Sequence, residues 1–187
     1  MQIQELYQKY LQHPSVQTDS RKIKTGDIFF ALKGPNFNGN DYAKKALDDG
    51  AAYCIIDEDI SPLDDRMIRV PDTLLALQEL ALHHRKQFQI PFIAITGSNG
   101  KTTTKELVHA VLSSSFKTYT TEGNLNNHIG VPLTILKVRP DAEMAIVEMG
   151  ANHQGERREA VASTLPFTGP RHLTQVELLR RFLEFFN

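Results

Sequence analysis

With a single cysteine in 187 residues, no disulfide can form within the chain. Cys54 lies in the apolar run Tyr53-Cys54-Ile55-Ile56, the setting of a buried core residue rather than of a nucleophile. Neither sign of charge dominates, since 21 basic and 22 acidic residues give a formal net charge of -1. That balance excludes the electrostatic footprint of a nucleic-acid binder or an anionic-membrane binder, so a phosphate-bearing ligand has to be held locally. No apolar stretch approaches membrane-spanning length, and Met1-Gln2-Ile3-Gln4-Glu5-Leu6 carries no basic segment followed by an apolar core. A cytoplasmic protein without a membrane partner is therefore expected.

Against these absences stands one chemically loaded stretch, Thr96-Gly97-Ser98-Asn99-Gly100-Lys101-Thr102-Thr103-Thr104. It follows a short apolar run at 92–95 that reads as a buried strand and precedes a helical pattern at 105–112. Strand, glycine turn and helix are the context a phosphate loop needs. Gly97 and Gly100 allow backbone N–H groups to turn onto phosphate oxygens, with Ser98, Asn99 and Thr103 completing the loop, and the new helix adds the positive end of its dipole. Lys101 is the residue to reach the outer phosphates, and the Thr102 hydroxyl the one to sit on Mg2+. The pattern departs from G-x-x-x-x-G-K-[ST], because Ile95 stands where the first glycine would be. A plain Gly/Asn turn with an exposed lysine is the alternative, and the flanking strand and helix weigh against it.

Upstream, residues 1–13 have amphipathic helical spacing that ends at Pro14. The polar segment Thr18-Asp19-Ser20-Arg21 precedes a strand at 28–32 and the turn Lys33-Gly34. Asp19, Ser20, Arg21 and Lys33 suit an anion or sugar-nucleotide site, and equally suit a solvated loop. A helix at 41–49 closed by Gly50, strands at 53–56 and 67–70 around an acidic loop, and a helix from 74 to about 88 capped by Asp72 complete an alternating α/β unit. His83 and His84 are adjacent, so they point a quarter turn or more apart and read as packing or surface residues rather than as a metal pair. Gln89-Ile90-Pro91 marks the domain boundary.

Downstream of the loop helix come a strand at 117–121, a polar turn at 122–132 containing Asn124, Asn126 and Asn127, and a buried strand at 145–147. The asparagines are either turn chemistry or hydrogen-bonding groups for a substrate or a metal-bound water. Glu148 falls at the carboxyl end of that last strand, where a Mg2+ ligand is expected in a sheet that also carries a phosphate loop. The alternative for Glu148 is a solvated strand end.

Five segments in this order, T-D-S-R at 18–21, F-F-A-L-K-G at 29–34, the phosphate loop at 96–104, G-N-L-N-N-H-I-G-V-P at 123–132, and E-M-G-A-N-H-Q-G-E at 148–156, resemble the Mur ligases. Within that family the resemblance is to the branch that joins D-Ala-D-Ala to UDP-N-acetylmuramoyl-tripeptide in peptidoglycan synthesis. It implies ATP and Mg2+, phosphorylation of a substrate carboxylate, and attack of the incoming amine on the acyl phosphate. By resemblance Lys101 and Asn127 are catalytic, Thr102 and Glu148 hold Mg2+, and Asp19, Ser20, Arg21 and Lys33 lie at the UDP-sugar. Asn124, Asn126, Asn152, His153 and Gln154 then contact substrate. The implied fold is α/β: a small N-terminal UDP-muramoyl-peptide domain at 1–89, then a partial central ATP-binding domain at 90–156 on a mostly parallel sheet.

In the family the chain continues past this point with a metal-binding histidine, a carbamoylated lysine, much of the adenosine site and a C-terminal domain. From Arg157 on no match to the family is expected. Residues 157–187 read as a tail with an amphipathic helix at 174–186, or as the product of a shifted reading frame. The short chain is expected to be inactive, with a non-catalytic UDP-sugar-binding module and another P-loop NTPase as alternatives. An incomplete parallel sheet also predicts poor stability, or self-association through an uncovered edge or the tail helix.

Overall fold

The computed structural model describes residues 2–62 and 64–150; the expectations for Asn152, His153, Gln154 and the tail lie outside them. The chain opens with α1 (Ile3–Gln12), which buries Leu6, Tyr7 and Tyr10 along one stripe. Then follow β1 (Val16–Gln17), β2 (Ile28–Phe30), an antiparallel pair of β3 (Lys33–Gly34) and β4 (Phe37–Asn38), α2 (Ala43–Asp48), β5 (Tyr53–Ile56), β6 (Met67–Arg69) and α3 (Thr73–Arg85). Asp72 caps α3 as its spacing predicts, its carboxylate accepting from Leu75 N at 2.8 Å.

The first sheet is parallel throughout, in the order β1-β2-β5-β6. Both faces of its central strands are covered, which explains why they read as unbroken apolar runs. Phe29, Cys54 and Ile56 point toward α2, whereas Ile28, Phe30 and Ile55 join the cluster built on α1 and α3.

The second half contains β7 (Phe92–Thr96), α4 (Lys101–Leu112), β8 (Thr118–Thr120), α5 (Gly130–Leu136) and β9 (Met144–Met149). Its three strands are parallel in the order β7-β9-β8. Two boundaries differ from expectation. Helix α4 starts at Lys101 rather than at 105, because the left-handed Gly100 (φ +74) ends the loop there and the threonines join the first turn. Part of the expected polar turn at 122–132 is helical, since α5 begins at Gly130 inside it.

The two sheets lie on either side of the expected boundary at 89–91, yet they share one core. Leu6, Tyr10, Leu77 and Leu80 from the first half pack in one cluster with Val131, Ile135, Leu136, Val147 and Met149 from the second. Polar contacts run alongside: the Tyr10 hydroxyl donates to Leu136 O, and Arg139 donates to the Tyr10 hydroxyl at 3.1 Å and to Pro14 O at 2.5 Å.

Candidate functional site

Parallel pairing of β7 with β9 sets Ile95 opposite Glu148 and Thr96 opposite Met149. The phosphate loop therefore leaves the sheet next to the strand end that carries the carboxylate, the crevice where ligands of open α/β sheets gather. The register between two segments some fifty residues apart, not local sequence, makes the site.

The loop runs from Gly97 to the start of α4. Lys101 Nζ folds back onto it, donating to Gly97 O at 2.8 Å and Ser98 O at 3.4 Å. Thr102, on the first turn of α4, donates its hydroxyl to Glu148 Oε1 at 3.3 Å, and Asn126 Nδ2 donates to the same oxygen at 2.7 Å. Glu148 is fully buried, and its second oxygen, Oε2, has no hydrogen-bond partner. A carboxyl oxygen buried without a hydrogen-bond partner is costly, and a cation is a natural complement to it. Among the described residues no group of three or more His, Cys, Asp or Glu is placed to hold a metal ion. A Mg2+ ion needs none when it is bound by one carboxylate, a hydroxyl, phosphate oxygens and water. Thr102 and Glu148 fit that donor set.

The Asn-rich segment is fixed beside the carboxylate by backbone as well as side chains. Gly150 N donates to Asn126 O at 2.6 Å. Asn127 Oδ1 accepts from Ile129 N at 3.1 Å and Gly130 N at 2.8 Å, so it satisfies the open N–H groups at the start of α5. The amide that reaches Glu148 is thus that of Asn126, while the oxygen of Asn127 holds the helix. A Cβ at Gly130 would stand 2.3 Å from the Leu125 carbonyl carbon, so only glycine permits this closure. Asn124 contributes its carbonyl to Asn126 N at 2.7 Å. Ser98, Asn99 and Thr103 are exposed on the loop and first turn.

Sequence reasoning passed over two residues here. Lys105 is completely buried and donates its Nζ to Thr121 O at 2.7 Å, with Glu106 Oε1 at 2.9 Å. Thr121, itself 1% exposed, accepts the Glu148 backbone N–H on its hydroxyl at 2.9 Å. A lysine inside a helical apolar stripe was the one available signal.

The predicted sugar-nucleotide residues belong to the first half. Asp19 caps a 3-10 turn over Ser20–Lys22 and accepts from Arg21 N, Nε and Nη2. The Arg21 hydrogen bond draws the Asp19 carboxyl down to about 2. Lys33 pairs with Asp57 at 3.0 Å and Glu58 at 3.2 Å, and both contacts raise its pKa. Asn38 and Asn40 complete this cluster by donating to Glu58 and Asp57. The Lys33, Asp57 and Glu58 cluster lies just past the C-terminal ends of β2 and β5, with the Lys33 and Glu58 side chains facing solvent.

Two family models match the chain: "Mur ligase family, catalytic domain" over residues 14–85 and "Mur ligase middle domain" over residues 95–169. The second runs past Glu156, where the motif resemblance stops. The UDP-N-acetylmuramoyl-tripeptide–D-alanyl-D-alanine ligase of Escherichia coli (strain K12) is 41% identical over 172 residues, covering 92% of this chain and 37% of that protein. Its Bacillus subtilis (strain 168) namesake is 42% identical, covering 75% and 31%. Among solved structures, a MurF crystal structure from Acinetobacter baumannii matches with TM-score 0.75 and 40% identity, covering 81% of this chain and 34% of that one. MurF ligase from Thermotoga maritima in complex with ADP matches with TM-score 0.74 and 29% identity, covering 93% and 43%. The chain spans about a third of the length of these curated relatives.

Proposed function

The chain belongs to the Mur ligase family, and from that membership we propose that it supplies the UDP-sugar and ATP-phosphate sites of a ligase of peptidoglycan synthesis. The reaction would join D-Ala-D-Ala to UDP-N-acetylmuramoyl-tripeptide. A substrate carboxylate oxygen takes the γ-phosphoryl group of ATP, ADP leaves, and the dipeptide amine then displaces phosphate as it loses its proton. The observation that carries this reading is the fully buried Glu148, whose Oε2 lacks a donor one hydroxyl away from a phosphate loop.

Each residue has a task in that scheme. The backbone N–H groups from Gly97 to Lys101, with the α4 dipole behind them, would bind phosphate oxygens. Lys101 would exchange the Gly97 and Ser98 carbonyls for those oxygens without leaving the loop. Thr102 and Glu148 would hold Mg2+, which supplies neutralisation of phosphate charge during transfer. Asn126 fixes the orientation of the Glu148 carboxylate through Oε1. Asp19, Ser20, Arg21 and Lys33 would face the UDP-sugar. Since the chain spans about a third of its relatives, the complete reaction is assigned to the full-length ligase, and binding is the property to measure on these 187 residues.

The test is ADP binding to the whole chain by calorimetry, with Mg2+ and then with EDTA. Wild type should bind at least tenfold tighter with Mg2+. Glu148→Gln should abolish that difference, and Lys101→Ala should weaken binding in both buffers by roughly ten- to a hundredfold, the worth of a charge-assisted hydrogen bond. ADP binding indifferent to Mg2+ in wild type would refute the assignment of Glu148.

A further inference from the structure

Helix α4 touches the Glu148 strand twice. Through Thr102 it donates to the carboxylate itself. Through Lys105 it donates to Thr121 O, and the Thr121 hydroxyl accepts the Glu148 backbone N–H. Thr102 and Lys105 are three residues apart and so share a helix face. The result is a closed circuit of four residues, Thr102, Lys105, Thr121 and Glu148, in which the same helix fixes both ends of one glutamate. Thr121 is anchored independently by its N–H to Ile146 O at 3.1 Å, so the circuit is tied to β9 at a third point.

Packing alone does not account for a lysine at position 105. The inward side of α4 otherwise carries Leu112 and the partly buried Val108, against Ile95, Met144 and Ile146. A leucine or methionine would extend that cluster without desolvating an ammonium group. The group that the lysine fixes is the carbonyl of Thr121, whose hydroxyl in turn holds the backbone N–H of the residue bearing the unpartnered oxygen. Pre-organised sites depend on such support from behind.

We propose that Lys105 and Thr121 are positioning residues for Glu148, holding its carboxylate at a fixed place relative to Thr102 so that a cation finds both donors already arranged. This rests on the proposed phosphate and Mg2+ site and adds two residues to it, neither of which touches nucleotide or metal.

The test compares Thr121→Val, Thr121→Ser and Lys105→Met with wild type in the whole 187-residue chain. Its first readout is the ratio of ADP affinities with Mg2+ and with EDTA; its second is hydrogen exchange of the Glu148 amide in the metal-free chain. Thr121→Val and Lys105→Met should lower the ratio by about fivefold, the order expected for one hydrogen bond. Thr121→Val should also speed exchange at Glu148, and Thr121→Ser, which keeps the hydroxyl, should restore both. A merely structural role would lower the melting temperature and both affinities together, leaving the ratio intact, and that result overturns the proposal. Lys105→Met decides the matter if Thr121→Val does not fold. Wild type without Mg2+ dependence sinks the parent assignment and this one with it; normal dependence in wild type and unchanged ratios in the variants sink this one alone.

Discussion

His84 offers the sharpest measure of how firmly the two halves are joined. It is buried, with Nε2 2.9 Å from Val138 O and Nδ1 3.1 Å from the Tyr7 hydroxyl. A carbonyl oxygen only accepts, so Nε2 carries a proton; burial lowers the His84 pKa, which keeps the ring neutral and leaves Nδ1 to accept from the Tyr7 hydroxyl. The ring joins α1 and α3 to the segment following α5. It also meets Tyr10 and Phe88 edge-on, with centroids 5.0 and 4.9 Å away. In His84→Phe the ring contacts survive, but the Tyr7 hydroxyl and the Val138 carbonyl lose their partner. Leaving each buried group unsatisfied costs about 1–3 kcal/mol, or roughly 2–6 kcal/mol together. Since domains are stable by about 5–15 kcal/mol, the urea midpoint should fall steeply at unchanged m-value.

Two controls separate this reasoning from a general core effect. The double variant Tyr7→Phe/His84→Phe removes one of the two orphaned groups, so it should be more stable than His84→Phe alone by about 1 kcal/mol or more. The second control is pH. Burial lowers the His84 pKa below 6.5, with Arg139 and His83 adding to the effect and the Val138 hydrogen bond opposing it. The unfolded chain therefore takes up the proton first. The stability that His84 contributes is whole above pH 6.5 and is lost as pH falls from there through the lowered folded value, with a slope of at most about 1.4 kcal/mol per pH unit. Wild type minus His84→Phe should show that slope. A loss under about 1 kcal/mol, or a double variant no better than the single one, would refute the argument.

Gly130→Ala should lower the melting temperature and weaken Mg2+-dependent ADP binding together, because its Cβ would stand 2.3–2.6 Å from the Leu125 backbone and push the Asn126 segment away from Glu148. A cost of about 1–3 kcal/mol or more is expected from overpacking against rigid backbone, and an unchanged melting curve would contradict the close approach. Cys54 is buried, and burial pushes its thiol up to about 12, so at pH 8 it should be inert to a disulfide reagent in the folded chain and react fully once urea unfolds it. Stoichiometric labelling of the folded chain within seconds would count against the packing of β5.

Local patterns carried much of the fold. Period, caps and glycine turns marked α1, α3, the main strands and the glycine turn between β7 and α4, since each depends on residues close in sequence. The circuit around Glu148 was not legible. It needs the β7–β9 register and a contact between Lys105 and a residue sixteen positions later, and a lysine in a helix ordinarily signals solvent. Helix α5 was hidden because glycine and proline stand in its first turn and Asn127, in the turn before it, accepts from Gly130 N; Pro132 lies near the start, where proline is tolerated. The expected boundary at 89–91 separates two sheets but not two cores, because α1 packs into the cluster that α5 completes.

Energetics and proposed chemistry meet in the distribution of unmet polar groups. Among the described residues three buried side-chain atoms lack a partner: Arg85 Nε, Thr120 Oγ1 and Glu148 Oε2. Arg85 has its guanidinium 3.9 Å from the Phe92 ring centroid and one nitrogen donating to Phe88 O, and Thr120 is a neutral hydroxyl. Only at Glu148 is the unmet atom a carboxyl oxygen, and it lies near a loop whose Lys101 donates to the loop's own carbonyls at Gly97 and Ser98. Selection for stability alone would replace the glutamate by glutamine or an apolar residue. In the proposed site a bound cation would offset that cost, with Thr121 bracing the Glu148 backbone and the buried Lys105 bracing Thr121.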